Sequence, residues 1–144
     1  MEEIISENDI KNDYVLIDGP TFEGPFMSRD LIEKVGLPEK KFFIFADDTE
    51  YFLRASKFGY KNLLIPSAKL HRMIDIGDEA DLGWKHFFML RNIIAVDVLH
   101  ASKPVRFIRP FGYLYRYLTY SKNFSQVITS IKAFIAGYFY KSDN

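Results

Sequence analysis

One stretch of the sequence restricts the fold more than any other: the nine residues FFIFADDTE at positions 42–50. The five consecutive apolar residues at 42–46 are typical of a strand buried on both faces of a sheet. The acidic residues that follow predict the start of a helix over about residues 48–58, because helix N-termini favour Asp and Glu. A strand that leads into a helix presents its side chains at the edge where open α/β sheets bind ligands.

The two adjacent carboxylates, Asp47 and Asp48, have two interpretations. Asp47 and Glu50 have the spacing of a capping box, in which Asp47 caps the helix and Glu50 reaches back to it. Asp48 is then not needed for capping, and the helix dipole would keep it ionised, as a general base requires. The residues alone leave both alternatives open, a helix cap without chemistry or an acid/base site.

The rest of the chain predicts short mixed elements followed by long helices. Apolar runs with turn residues predict strands at 14–20 and 62–66, and an extended segment at 69–71. Ser28 and Gly36 bracket a short helix over 29–35. Residues 73–82 are polar and predict a mobile loop, and longer helical patterns cover 83–101, 105–120 and 124–140. We therefore expect an α+β arrangement in the first seventy residues and helices afterwards.

Charge divides the chain into an acidic body and a basic tail. The 144 residues carry no net charge, but residues 1–50 contain thirteen acidic and five basic side chains. Residues 103–142 contain seven basic residues, eleven aromatic residues and no acid. Such a segment suits a membrane surface, or contact with another half of the protein or a second copy, and suits nucleic acid poorly. A spanning helix is disfavoured because Lys132 lies near the centre of the most apolar window.

Fewer residues elsewhere suggest chemistry. The sequence contains no cysteine, which excludes disulfides and thiolate metal sites. His71 is a lone histidine after a predicted strand, and the histidines of the next helix lack a metal partner one turn away. The aromatic stripe that begins at Trp84 predicts core packing. Arg91 and Asn92 are interpreted as a structural pair that joins this helix to the layer of the two carboxylates.

Several spaced motifs between residues 19 and 95 resemble the second half of family 2 glycosyltransferases. The rhamnosyl- and galactofuranosyltransferase-like branches are the most similar. The motifs occur in the family's order, at positions 22–29, 35–37, 42–55, 58–60, 65–68, 71, 84 and 91–92. The resemblance implies a GT-A fold, which is a Rossmann-like α/β sandwich, and inverting transfer from a nucleotide sugar bound with Mn²⁺ or Mg²⁺.

The resemblance also implies roles for individual residues. Asp48 matches the base that deprotonates the acceptor hydroxyl, with Asp47 beside it in the catalytic site. His71 matches a histidine that completes the metal site.

Four further residues match positions in the acceptor- and donor-binding region. They are Gly24, Pro25, Trp84 and Arg91.

The family's nucleotide-binding half, with its Asp-x-Asp metal motif, has no counterpart in this sequence. We therefore expect a carboxy-terminal portion, with residues 1–102 as the acceptor-side part of the domain and residues 103–144 as a basic, aromatic, amphipathic helical tail. The expected partners are a nucleotide-sugar donor, a glycan or lipid-linked acceptor, an upstream half or second copy, and the membrane surface, but no nucleic acid. The expected role is cell-surface polysaccharide synthesis at the cytoplasmic face of the membrane. The alternative is a non-catalytic partner-binding or membrane-surface module.

Overall fold

The computed structural model describes residues 13–71, 73 and 83–142, and these form a mixed but mostly helical chain. This is consistent with the α+β arrangement expected from the sequence. The elements in chain order are β1 (Val15–Ile17), α1 (Arg29–Val35), a 3₁₀ turn (Lys40–Phe42), α2 (Asp47–Lys57), β2 (Asn62–Leu64), α3 (His86–His100), α4 (Lys103–Thr119) and α5 (Phe124–Tyr138).

The two strands form a small antiparallel sheet in which Val15 pairs with Leu64 and Ile17 pairs with Asn62. Both strands are shorter than the sequence pattern predicts. Asn62 adds a side-chain bond next to the ladder, since its Nδ2 donates to the carbonyl oxygen of Asp18 at 2.9 Å. The sheet therefore joins the beginning of the described chain to the segment that precedes His71.

Helix α1 has the bounds that its end residues predict. The Oγ of Ser28 accepts a hydrogen bond from the backbone N–H of Leu31 at 3.2 Å, which caps the helix. Gly36 ends the helix with a φ of 84°, in the region that glycine adopts without strain. The buried side of α1 packs on α2 in one apolar cluster, formed by Leu31, Val35, Tyr51, Phe52 and Ala55.

The predicted strand at 42–46 is wrong. Phe42 ends a 3₁₀ turn, and the next four residues make a tight reversal instead of an extended segment. Phe42 is fully buried, whereas Phe43 and Phe45 are 70% and 42% exposed. Continuous hydrophobicity was therefore a poor guide here, because the exposed rings do not line a sheet.

Helices α3, α4 and α5 form a compact three-helix unit. Contacts between Asp97 and Arg109 and between His86 and Tyr117 show that α3 and α4 are antiparallel. The His86–Ser130 hydrogen bond near the start of α3, together with the approach of Gly137 to Arg91 and Ile94 further along, shows that α5 runs parallel to α3. The apolar core between them contains Leu90, Ile94, Val98 and Ala133.

The basic tail is thus packed onto α3, and residues 103–142 contribute α4 and α5 to this unit. None of the helices in the described part of the chain is long and apolar enough to cross a membrane. The predicted mobile loop at 73–82 lies outside the described residues, apart from Met73.

Candidate functional site

A strained reversal leads into the carboxylate pair. Phe43 has φ 54° and ψ −55°, and the N–H of Ile44 donates to the carbonyl oxygen of Phe42 at 2.5 Å. These features define a γ-turn of the rare, strained type. Phe45 and Ala46 follow with φ values of 72° and 62°. Left-handed residues other than glycine cost on the order of 1–3 kcal/mol each and persist only where the surroundings hold them.

One buried side chain holds this reversal. The Nδ2 of Asn92, on α3, lies 2.8, 2.8 and 2.7 Å from the carbonyl oxygens of Phe42, Ile44 and Phe45. Asn92 is fully buried, and its Oδ1 accepts a hydrogen bond from the Nε of Arg91 at 2.8 Å. A buried amide that binds three carbonyls fixes the path of the backbone just before the two carboxylates.

Arg91 reinforces the same anchor. Its Nη2 donates to the carbonyl oxygen of Lys41, and its guanidinium lies 5.2 Å from the ring centroid of Phe88 and 5.8 Å from that of Phe87. These contacts agree with the interpretation of Arg91 and Asn92 as a structural pair. The role of Arg91 in acceptor or donor binding stays a prediction.

The predicted capping box at the start of α2 is wrong. Ala46 occupies the N-cap in a left-handed conformation and provides no capping side chain, and Asp47 lies inside the helix instead of capping it. Asp47 and Asp48 are the first two helical residues, so both carboxylates lie at the positive end of the helix dipole.

Glu50 points into the protein instead of back to the cap. Its carboxylate accepts hydrogen bonds from the Nε and Nη2 of Arg54 at 3.0 and 3.1 Å, and from the Nε2 of His100 at 3.2 Å. Burial alone would raise the pKa of Glu50, but the bonds from His100 and Arg54 outweigh it and leave the pKa lowered. Arg54 also donates to the carbonyl oxygens of Val35 and Leu37, at 2.5 and 3.0 Å. Glu50 and Arg54 therefore connect α2 to α1 and to the end of α3.

Asp48 is oriented by the residue that follows it. Its Oδ1 accepts hydrogen bonds from the N–H of Thr49 at 2.6 Å and from the Thr49 Oγ1 at 3.3 Å. Within the described chain, no donor binds its Oδ2 or the carboxylate of Asp47. Both side chains are partly exposed. One oxygen of Asp48 is thus held in place while the other can accept a proton from a bound hydroxyl.

The Gly24 segment and the segment that ends at His71 lie together. A Cβ added to Gly24, which has φ 76°, would lie 3.1 Å from the Leu70 side chain. Pro25 follows in a partly buried position, and His71 is exposed one residue after Leu70. The structure therefore brings a predicted binding loop close to the predicted metal ligand.

The metal prediction has limited support from the donor set. Among residues 13–71, 73 and 83–142, no three His, Asp or Glu side chains come together as a site for a metal ion. His71 alone supplies one nitrogen, whereas Mg²⁺ and Mn²⁺ prefer several oxygen ligands. The described residues do not form the implied site by themselves, so His71 stays a predicted ligand.

The aromatic stripe predicts that Trp84 packs in the core, but the structure places it at the surface. It is 59% exposed, just before α3, and the Nζ of Lys85 lies 5.7 Å from its ring centroid. Nearby, the exposed ring of Phe43 contacts Phe88 at 5.5 Å between centroids. Exposed aromatic rings of this kind can stack on sugar rings, which keeps Trp84 available for the predicted binding role.

The sequence pattern did not predict the hydrogen bonds from Asn92 to three carbonyl oxygens or the burial of Glu50 between Arg54 and His100. The Glu50–Arg54 pair has a readable signal, since opposite charges four residues apart face each other on a helix. The sequence signal at Asn92 is weaker: it is a polar residue inside an otherwise apolar helix, and a buried polar side chain requires hydrogen-bond partners.

Comparison with known proteins shows which enzymes the chain is similar to. The chain is 36% identical over 77 residues to galactofuranosyltransferase GlfT2 of Mycolicibacterium smegmatis, and 33% identical over 76 residues to the protein of the same name from Mycobacterium tuberculosis. These similarities support one conclusion. The chain is related to glycosyltransferases. They cover 54% and 53% of this chain but only 12% of each relative. No protein-family model and no solved structure matches the chain.

Proposed function

We propose that this chain is the acceptor-side part of an inverting glycosyltransferase with the second half of a GT-A fold. The observation that carries the proposal is the strained reversal at Phe43–Ala46, which α3 holds and which ends in Asp47 and Asp48. Backbone strain that is maintained by buried hydrogen bonds is concentrated at functional sites. The names of the relatives make galactofuranose the first sugar to test.

The proposed chemistry assigns the base to Asp48. The hydroxyl of a glycan or lipid-linked acceptor donates its proton to Asp48 Oδ2, while Thr49 holds Oδ1. The acceptor oxygen forms a bond to the anomeric carbon from the side opposite the leaving group, and the bond from that carbon to the nucleoside diphosphate breaks. General-base catalysis of this kind contributes about 10²- to 10⁴-fold in rate. Asp47, one residue earlier, is assigned to hydrogen bonding of the acceptor.

The resemblance also implies Mn²⁺ or Mg²⁺ at the donor diphosphate. The described residues do not form such a site by themselves, and His71 is proposed as one of its ligands. Gly24, Pro25 and Trp84 are proposed to contact the donor or acceptor.

A transfer assay with a nucleotide-activated galactofuranose and a glycan acceptor in the presence of Mn²⁺ tests this proposal. It is run with the chain alone and with the longer protein or partner that supplies the nucleotide-binding half. We expect Asp48→Asn to lower kcat by about 10²- to 10⁴-fold. Glu33→Gln is the matched control, because Glu33 is an exposed carboxylate that binds Arg29 on the same helix. Full transfer by the Asp48→Asn variant would contradict the assignment of the base.

A second function, attachment to a membrane surface, is favoured by the exposed side of α4 and α5. Phe111 on α4 lies 5.1 Å from Phe134 and 5.8 Å from Tyr138 on α5, between ring centroids, so the outer sides of the two helices adjoin. We define the α4–α5 face by their exposed apolar residues, which are Phe107, Ile108, Phe111, Tyr115, Phe124, Ile128, Ile131 and Ile135.

Charge makes an anionic lipid surface the proposed occupant of the α4–α5 face. The seven basic residues of 103–142 face no acid from the same segment, and each basic residue near an anionic membrane contributes roughly 1 kcal/mol. This would place the enzyme at the cytoplasmic face of the membrane, close to a lipid-linked acceptor. Sedimentation with vesicles tests it: binding should require anionic lipid, weaken with salt and fall in a Phe107→Ser, Ile108→Ser variant. Equal binding by that variant, or a salt-resistant dimer in its place, would overturn the membrane assignment.

A further inference from the structure

A cleft opens at the end of the three-helix unit where α3 begins. The start of α3, the end of α4 and the first turn of α5 meet around a cavity of about 240 Å³. This volume is several times the roughly 30 Å³ that one water molecule occupies in the liquid, so a small polar group fits. The cleft is lined by His86, Arg116, Tyr117, Tyr120, Lys122 and Gln126.

The lining is cationic and has no carboxylate. Arg116 and Lys122 contribute two positive charges, and the sequence has no Asp or Glu between Asp97 and Asp143. Among the described residues, no acidic side chain pairs with either cation. Two cations that line one concave surface without a counter-charge provide the electrostatic requirement of an anion site.

Two helix ends of opposite polarity meet at the cleft, the end of α4 and the start of α5. At the start of α5, the Asn123 side chain caps the helix and accepts a hydrogen bond from the N–H of Gln126 at 2.9 Å. The carbonyl groups at the end of α4 would repel an anion if they were free. However, the carbonyl oxygen of Arg116 accepts from Thr119 Oγ1 and from the N–H of Tyr120, and that of Tyr117 accepts from Ser121 Oγ.

The remaining wall is rigid and uncharged. The hydroxyl of Ser130 donates to the carbonyl oxygen of Gln126 at 2.9 Å, so the His86 Nε2, 2.8 Å from the Ser130 Oγ, must be a donor. Burial lowers the pKa of His86, which keeps the ring neutral near pH 7. The ring also packs edge-on against Tyr117 at 5.0 Å between centroids. Gln126 is fixed as well, because its Oε1 accepts from the N–H of Lys122 at 2.7 Å.

We propose that this cleft binds the phosphate group of a phosphate ester, with Arg116 and Lys122 as the charged ligands. The ester could be a small soluble molecule or a membrane lipid, since both present the same chemistry. Tyr120, which lines the cleft, is 75% exposed and can contact the group that the phosphate esterifies. The site is independent of the transfer chemistry assigned to Asp48.

Two binding experiments separate the sources of the phosphate. The first titrates the chain with glycerol phosphate and inorganic phosphate by calorimetry. The second uses phosphatidylcholine vesicles with and without phosphatidic acid. The cleft variant is Arg116→Gln with Lys122→Gln. The matched control is Arg106→Gln with Lys132→Gln, which removes the same charge from exposed positions of α4 and α5 outside the cleft.

We expect the cleft variant to lose at least tenfold in affinity in one or both experiments, while the control changes less than twofold with the soluble esters. Loss with glycerol phosphate identifies a soluble ester, and loss with phosphatidic acid alone identifies a lipid. No binding in either experiment, or equal losses in both variants, would overturn the proposal. Gln126→Glu adds a second check: a carboxylate retains the bond from the Lys122 N–H but places negative charge in the cleft, so it should abolish binding. Transfer activity does not enter either readout, so failure here leaves the role of Asp48 to its own test.

Discussion

Gly137 lies where α5 approaches the backbone of α3 most closely, and its replacement by alanine tests the packing of the three-helix unit. A Cβ at this position would lie 2.6 Å from the carbonyl oxygen of Arg91 and 2.9 Å from the Cβ of Ile94. Both distances are shorter than van der Waals contact, and one partner is backbone that cannot rotate away. Gly112, in the interior of α4, has no neighbouring atom within 4 Å of the same added Cβ.

The two glycines therefore separate helix propensity from steric conflict. Alanine is more favourable than glycine in a helix interior by about 1 kcal/mol. Gly112→Ala should gain about that much stability, because nothing opposes the new methyl group. Gly137→Ala gains the same stability from helix propensity, but its methyl group also forces α5 away from α3. Overpacking of this kind costs roughly 1–3 kcal/mol. We expect Gly137→Ala to be less stable than Gly112→Ala by roughly 1–3 kcal/mol.

Urea unfolding followed by circular dichroism measures this difference, with linear extrapolation to water for each variant. Because the helix-propensity contribution is common to both substitutions, it cancels in the comparison. Equal stabilisation by the two substitutions would show that α3 and α5 are not in close contact at Gly137, and the packing described above would then be incorrect.

Three other predictions use the same unfolding assay. Asn92→Ala removes the donor to three carbonyls and should cost about 1–3 kcal/mol through unpaired backbone groups; an unchanged midpoint would contradict the anchoring role. The pKa of Glu50 is lowered in the folded state, so its contribution to the free energy of unfolding is fully present above its ordinary pKa of 4.5 and is lost as the pH falls through the folded pKa. Glu50→Gln should therefore have a lower free energy of unfolding than the parent protein at pH 7, and this difference should be smaller at pH 3. The same difference at both pH values would refute this. Asp97 is 2% exposed and its partner Arg109 is 52% exposed. Arg109→Met leaves a buried carboxylate without its partner and should lower the free energy of unfolding by roughly 3–5 kcal/mol. Asp97→Asn removes the charge itself and should lower it by less.

The sequence predicted the local features whose causes are local. Ser28 and Gly36 defined α1 because a hydroxyl cap and a left-handed glycine act within a few residues. The helical patterns at 83–101, 105–120 and 124–140 gave α3, α4 and α5 to within three residues at each end. The neighbouring carboxylates were correctly placed at the start of α2. The candidate site was therefore located in the sequence before its geometry was known.

The errors arose where a distant residue decides the local conformation. Five apolar residues at 42–46 favour a strand, but Asn92, nearly fifty residues later, binds the carbonyls of this segment and holds it in a reversal. The capping box failed for a related reason, since Glu50 gains more from Arg54 and His100 than from the helix end. Neither partner is visible in a short window of sequence. The Rossmann-like part of the GT-A fold was expected from the resemblance and stays a proposal.

The hydrogen bonds from Asn92 to the reversal affect which substitutions this site tolerates. Asn92 binds main-chain carbonyl oxygens only, and every amino acid supplies the same oxygen at positions 42, 44 and 45. The exposed side chains of Phe43 and Phe45 lie beside the two carboxylates and take no part in these hydrogen bonds, although the Phe43 ring also contacts Phe88 on α3. The side chains next to Asp47 and Asp48 can thus be substituted one at a time while the two acids keep their positions. Under the proposed function, substitutions at these positions should change acceptor preference without moving Asp48.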